Sequence, residues 1–121
     1  MVKGIRHTGI VVKNMRKSLE FWTDLGFVVH KTADENSQFM DAVLGLEHTR
    51  LHTVKLRAPS GQIIELLHFA SHRDKVRHAT RPYSEGITHI AMTVDKLDKG
   101  VISPDGAVKI TYIQAPDNVL L

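Results

Sequence analysis

The sequence predicts an α+β protein built from two copies of a strand–helix–three-strand (βαβββ) module. Two internal matches carry this prediction. Residues 4–12 align with residues 86–94, and Gly, Ile, His and the final Val coincide in the two segments. Residues 58–64 align with residues 115–121 through a shared Ala-Pro pair. Because an opening and a closing segment both recur, we expect one module to follow the other along the chain.

The opening strand and helix of the module are the clearest local signals. Segments 5–12 and 87–94 are rich in β-branched residues, which favour strands. Apolar side chains then recur at three- and four-residue spacing, at Met15, Leu19, Trp22 and Leu25. This spacing predicts an amphipathic helix over 15–25, with Asn14 as its N-cap and Gly26 at its C-terminal cap.

The rest of the first module is predicted as three strands and a short helix. We expect strands over 27–32, 51–57 and 62–69, and a helix over 36–46. The Ala-Pro-Ser-Gly segment 58–61 is a turn signal between the last two strands.

These elements predict one structural domain with three parts. The first module occupies residues 1–70, a polar linker occupies 71–85, and the second module occupies 86–121. A chain of 121 residues is long enough to bury one core.

Composition excludes several classes of function. The chain has no cysteine, which excludes disulfides, thiolate catalysis and iron–sulfur clusters. Its net charge of +3 comes from scattered basic residues, so we expect no nucleic-acid partner and a mild preference for anionic small molecules. It has neither an apolar run long enough to span a bilayer nor a signal-like N-terminus. We therefore expect a cytoplasmic protein without a membrane partner.

Three residues form a candidate metal-ligand set. His7 and His89 occupy the same position of the two modules, and Glu65 is a carboxylate within an apolar strand. Two imidazoles and one carboxylate suit a divalent metal ion. Alternatively, each is an ordinary half-exposed or satisfied residue of a sheet. The repetition of the histidine favours the metal interpretation.

The same residues resemble the vicinal oxygen chelate superfamily. The resemblance rests on His7 in an Ile-x-His-x-Gly-Ile-x-Val strand, the helix end at 18–27, Glu65, and His89 in Gly-Ile-x-His-Ile-Ala. This superfamily includes glyoxalase I, methylmalonyl-CoA epimerase, extradiol dioxygenases, fosfomycin-modifying enzymes and bleomycin-resistance proteins.

The resemblance implies both a fold and a site. It implies paired βαβββ modules that form a cupped mixed sheet, as in the glyoxalase/bleomycin-resistance fold, and a homodimer. It also implies a divalent metal ion, which would be Ni, Co, Zn, Mg or Fe, held by His7, Glu65 and His89. Glu65 would be the catalytic group as well as a ligand.

The activity implied is that of a metal-dependent lyase or isomerase acting on a small substrate with vicinal oxygens, through an enediolate or enolate. Two alternatives stay open: metal-free binding and sequestration of a drug or metabolite, and an Fe(II) extradiol dioxygenase. Arg57, His52 and Tyr112 are candidate substrate-contacting residues, with Arg57 positioned for an anionic group.

The second module departs from the family pattern. Its segment from Asp98 to Val101 leaves no room for a crossover helix, although a parallel connection needs about a dozen residues. The fourth ligand of the family, a Glu on the last strand, would fall directly after Leu121. Either the second module is degenerate or residues are missing. We expect the latter, with gaps between Lys99 and Gly100 and after Leu121.

Overall fold

The chain divides into two compact units. A computed structural model describes residues 1–73, 81–83, 85–87 and 89–121. The first unit is Met1–Val76 and the second is Arg77–Leu121. Most of the linker predicted over 71–85 lies outside the described residues.

The first unit has the element order predicted for a module. The elements are β1 (Thr8–Val11), α1 (Met15–Asp24), β2 (Val28–Asp34), α2 (Gln38–Leu44), β3 (Leu51–Arg57) and β4 (Ile63–Phe69). β1 is shorter than the predicted strand over 5–12, because its pairing with β4 begins at Thr8. His7 therefore lies directly before the strand rather than within it.

The four strands form one mixed sheet in the order β1-β4-β3-β2. β1 runs parallel to β4, whereas β4, β3 and β2 pair antiparallel. The β3–β4 pair aligns Lys55 with Glu65, and the β1–β4 pair aligns Gly9 with the same Glu65. Glu65 is thus at the centre of the sheet.

One face of this sheet carries the core of the unit. Its buried side chains come from alternate strand positions, namely Ile10, Val54, Leu56, Ile64 and Leu66. α1, which packs against β4, adds the buried Trp22, whose ring meets Phe27 edge-on at a centroid distance of 5.2 Å. Because strand side chains alternate between faces, Glu65 and Lys55 project from the opposite face.

Caps fix the ends of both helices. The Asn14 side chain accepts a hydrogen bond from the Lys17 N–H at 3.1 Å, as predicted for the N-cap of α1. α2 is shorter than the predicted 36–46: Ser37 caps its start, and Gly45 ends it in the left-handed conformation at φ 67°. A residue with a side chain would be strained at that φ, which explains glycine there.

The second unit has little regular structure in its described part. It contains a two-stranded ladder of β5 (Val101–Ile102) with β6 (Lys109–Ile110), and a short 3-10 helix at Pro116–Asn118. The strand predicted over 87–94 is wrong, because within the described residues only His89 pairs, in an isolated parallel bridge with Leu120. A strand needs a partner along its length, and the closing segment pairs with this one at a single position.

The closing turns of the two units have the same hydrogen bond. In the first unit the Ala58 N–H donates to the carbonyl of Gln62 at 2.9 Å. In the second, the Ala115 N–H donates to the carbonyl of Val119 at 2.8 Å. The internal alignment of the sequence therefore describes a structural equivalence at this turn.

Candidate functional site

A row of four residues crosses the face of the sheet opposite the core. From β1 to β2 the row contains Gly9, Glu65, Lys55 and Lys31, each aligned with the next. Residues directly opposite each other on neighbouring strands project from the same face. This face, which we call the open face, therefore carries one carboxylate and two ammonium groups side by side.

Glu65 is the centre of the charged contacts on the open face. Its Oε2 lies 3.7 Å from His7 Nε2 and 3.3 Å from Lys55 Nζ. The Glu65 side chain is 13% exposed, against 37% for His7 and 31% for Lys55. A carboxylate this buried needs a positive charge or hydrogen-bond donors nearby, and here two basic side chains converge on one oxygen.

The neighbour of Glu65 on β1 is a glycine. A Cβ on Gly9 would approach Leu67 Cδ1 to 3.3 Å, which is a tight contact. A side chain at Gly9 would therefore have to displace the Leu67 side chain on the same face.

His7 and Glu65 fit two coordination positions of one divalent ion. Zinc-type ligand distances of about 2.1 Å allow a single ion to bind an N and an O atom that are 3.7 Å apart. No group of three or more His, Asp or Glu side chains that could hold a metal ion occurs among residues 1–73, 81–83, 85–87 and 89–121. The first unit thus offers a two-ligand pair.

Arg57 lies on the open face at the end of β3, two residues beyond Lys55. Its guanidinium Nη2 is 3.1 and 3.2 Å from the two ring nitrogens of His30. His30 lies at the irregularity in the β2–β3 register, between Val29 and Lys31. Arg57 therefore adds a third cation to the open face. Its contact with an anionic group of a substrate stays a prediction.

The structure does not bring His52 together with these residues. His52 faces His68 across the β3–β4 pair, at the alternate positions that project from the core-bearing face. Its Nδ1 pairs with Asp34 Oδ1 at 2.7 Å. A substrate bound beside Glu65 would lie on the other side of the sheet from His52.

Comparison with known families identifies the fold. Residues 4–102 match the family described as Glyoxalase/Bleomycin resistance protein/Dioxygenase superfamily. The chain belongs to this superfamily. The match confirms the resemblance inferred from the motifs around His7, Glu65 and His89.

A solved structure supports the same conclusion for the fold. The chain is similar to the crystal structure of a glyoxalase family protein from Bacillus cereus, with a TM-score of 0.87 and 19% sequence identity. The similarity covers 99% of this chain and 91% of that one. It confirms the predicted α+β glyoxalase-type fold. A comparison with curated proteins finds no match.

His89, the third predicted ligand of this glyoxalase-superfamily chain, belongs to the second unit. The His89 ring meets Tyr112 edge-on, at a centroid distance of 5.3 Å and an interplanar angle of 84°. In the repeat alignment His89 corresponds to His7, and Tyr112 corresponds to Lys55. The convergence of His89 with His7 and Glu65 stays a prediction, as does the contact of Tyr112 with substrate.

Lys55 is the residue of the open face that the sequence interpretation missed. Its signal was nonetheless present in β3, where Thr53, Lys55 and Arg57 alternate with apolar residues. Such alternation marks one face of a strand as polar. Pairing with Glu65 then follows from the register between β3 and β4.

The described residues contain no candidate membrane-spanning helix. Neither α1 nor α2 is long and apolar enough to cross a bilayer, and the described residues hold no other helix that is.

Proposed function

We propose that this glyoxalase-superfamily chain is a divalent-metal-dependent enzyme of the lyase or isomerase type. Its substrate would be a small molecule with vicinal oxygens. The observation that carries the proposal is the Glu65 carboxylate, which is mostly buried at the centre of the open face with a histidine nitrogen 3.7 Å from its Oε2.

The residues of the first unit have different proposed roles in binding the metal ion and in moving the proton. His7 Nε2 and Glu65 Oε2 would hold the ion, with His89 as the further proposed ligand. When bound, a divalent ion supplies positive charge that stabilises an enediolate or enolate oxygen of the substrate. Both ionic contacts of Glu65 use Oε2, so Oε1 is the oxygen we propose for moving the substrate proton.

The charge of the open face supports an anionic substrate. Lys31, Lys55 and Arg57 lie on it, and Glu65 is the acidic residue in the same row. A face with more cations than anions attracts a carboxylate or phosphate group. We propose that Arg57 holds this group, at the end of β3, while the vicinal oxygens lie near Glu65.

Metal analysis of variants tests the proposal. We expect the reconstituted protein to bind about one divalent ion per chain by elemental analysis, as one ligand set allows. His7→Ala should lose most of this metal while keeping its circular dichroism spectrum. His52→Ala is the matched control, because His52 lies on the core-bearing face and should not affect the metal. An unchanged metal content in His7→Ala contradicts the ligand assignment.

A metal-free binding protein of the bleomycin-resistance type is the second candidate. One observation favours it: Lys55 already neutralises Glu65. Wild-type protein that binds no Ni, Co, Zn, Mg or Fe after reconstitution would select this candidate. Stoichiometric Fe(II), with oxygen consumption on a catechol, would instead select the extradiol dioxygenase reaction.

A further inference from the structure

The Lys55 ammonium lies beside the Glu65 oxygen that we propose as a metal ligand. Lys55 Nζ is 3.3 Å from Glu65 Oε2, and His7 Nε2 is 3.7 Å from the same oxygen. An ion held jointly by His7 and Glu65 would therefore have a unit positive charge as its neighbour. Electrostatic repulsion at this distance opposes its binding.

The register of the sheet fixes this arrangement. Lys55 is aligned with Glu65 on one side and with Lys31 on the other. Like charges that face each other across two strands repel, whereas opposite charges attract. Both effects direct the Lys55 ammonium toward Glu65 and away from Lys31.

The second unit shows that this position does not require a charge. Tyr112 corresponds to Lys55 in the repeat and packs edge-on against His89, which corresponds to His7. The same place beside the opening histidine thus accepts a neutral side chain in one unit and an ammonium in the other. The fold of a unit therefore does not require a charged side chain at this position, and the ammonium of Lys55 is specific to the first unit.

We propose that Lys55 is an internal counterion of Glu65 that competes with divalent metal for the carboxylate. In the metal-free protein the ammonium neutralises Glu65, and a metal ion has to displace it in order to bind. The flexible four-carbon stem of lysine permits this displacement without a change in the backbone. The inference rests on the metal site proposed above at His7 and Glu65.

Isothermal titration of tag-free protein with Ni²⁺ tests the competition. Lys55→Met removes the charge and keeps the length of the side chain. We expect it to bind Ni²⁺ about tenfold more tightly than wild type, the effect of removing a unit charge roughly 5 Å from a divalent ion at the dielectric constant of water. Lys55→Arg keeps the charge and should stay within about threefold of wild type by the same reasoning.

Lys31→Met is the matched control. It removes the same charge from the same row, one strand farther from Glu65. Solvent and salt screen charges at that separation, so its Ni²⁺ affinity should change by less than about threefold. Thermal denaturation of each variant confirms that it is folded before titration.

The possible results separate this inference from the proposed function. If Lys55→Met binds Ni²⁺ more tightly than wild type and Lys31→Met does not, the competition is supported. If Lys55→Met binds Ni²⁺ and wild type binds none, the competition is also supported, but the metal-dependent function of the wild-type protein is contradicted. Equal affinity of wild type and Lys55→Met overturns the competition and leaves the metal function standing. Absence of binding in both overturns both.

Discussion

Asp41 links α2 to the segment that enters β3. Its carboxylate accepts hydrogen bonds from the backbone N–H of His48 at 3.0 Å and of Thr49 at 2.8 Å. Hydrogen bonds from Thr49, with a smaller contribution from His48, lower the pKa of Asp41 below its ordinary value of 3.8. The ionised form is therefore part of the native structure.

Asp41→Asn should destabilise the protein in a pH-dependent way. Because the pKa of Asp41 is lowered by folding, its contribution is fully present above pH 3.8 and is lost as the pH falls through the lower folded value. We expect the melting temperature of Asp41→Asn to fall below that of wild type at about pH 7 and the difference to narrow near about pH 3. Thermal denaturation at both pH values measures it.

Asp24→Asn is the control for Asp41→Asn, since it removes one negative charge at an exposed helical position. If the melting-temperature difference from wild type narrows equally for both variants at low pH, the effect is due to net charge. That outcome would contradict the role of the Asp41 hydrogen bonds.

The pairing of Glu65 with Lys55 shows how an error of one residue in a strand boundary changes the predicted contacts. A strand over 62–69 joined to 51–57 by a four-residue turn would align Lys55 with Ile64. In the structure β4 begins at Ile63, and Lys55 is aligned with Glu65. A shift of one residue moves every side chain to the other face, so the contact depended on a boundary that local propensity does not fix.

His52 illustrates the opposite case at the residue scale. His52 and Arg57 are five positions apart on one strand, and strand side chains alternate with a period of two. They therefore cannot line the same face of a regular strand. This placement could have been obtained from the sequence once β3 was predicted over 51–57.

β4 is the element that joins the core to the open face. It lies between β1 and β3 in the sheet. Leu66 is fully buried against the core, while Glu65 and Leu67 project from the open face. The strand therefore contributes to the core-bearing face and to the open face at adjacent positions.

Truncation of adjacent leucines in β4 should separate these faces. Leu66→Ala removes a fully buried side chain and should lower the free energy of unfolding by about 2–5 kcal/mol. Leu67→Ala removes a half-buried side chain from the open face and should cost about half as much or less. Urea denaturation measures both. Equal losses would mean that both faces of the sheet are packed to the same extent.

The second unit shows where element prediction fails. Segments 5–12 and 87–94 carry the same motif, yet β1 forms a ladder with β4, whereas His89 forms one bridge with Leu120. β-propensity describes how well a side chain fits a sheet and does not supply the neighbouring strand. The absence of a crossover helix between His89 and Val101 among the described residues agrees with the short spacing there. The predicted gap at Lys99–Gly100 stays a prediction.

At the scale of the whole molecule, positions that are equivalent in the sequence repeat make equivalent strand pairings in the two units. Arg57 pairs antiparallel with Ile63 in the first unit, and the repeat-equivalent Gln114 pairs antiparallel with Leu120 in the second. The repeat therefore predicted pairing within each unit, including the closing turns. It could not predict which charged side chain would contact Glu65, because position 55 and its equivalent, Tyr112, differ between the units.

We predict that the protein is a homodimer. The four-stranded sheet of the first unit ends at β1 and β2, and edge strands leave unpaired backbone groups that favour association. β2 also exposes apolar side chains, with Val28 at 66% and Val29 at 48%. Size-exclusion chromatography with light scattering at micromolar concentration should give twice the mass of one chain.

Charged substitutions locate the interface of this dimer. Val28→Lys places an ammonium on the β2 edge and should shift the protein toward the monomer, because a buried charge at an edge opposes pairing. Val43→Lys is the control, since Val43 is comparably exposed, at 61%, but lies on α2. A dimer that Val28→Lys leaves intact would place the interface elsewhere, and a monomeric wild type would contradict the dimer itself.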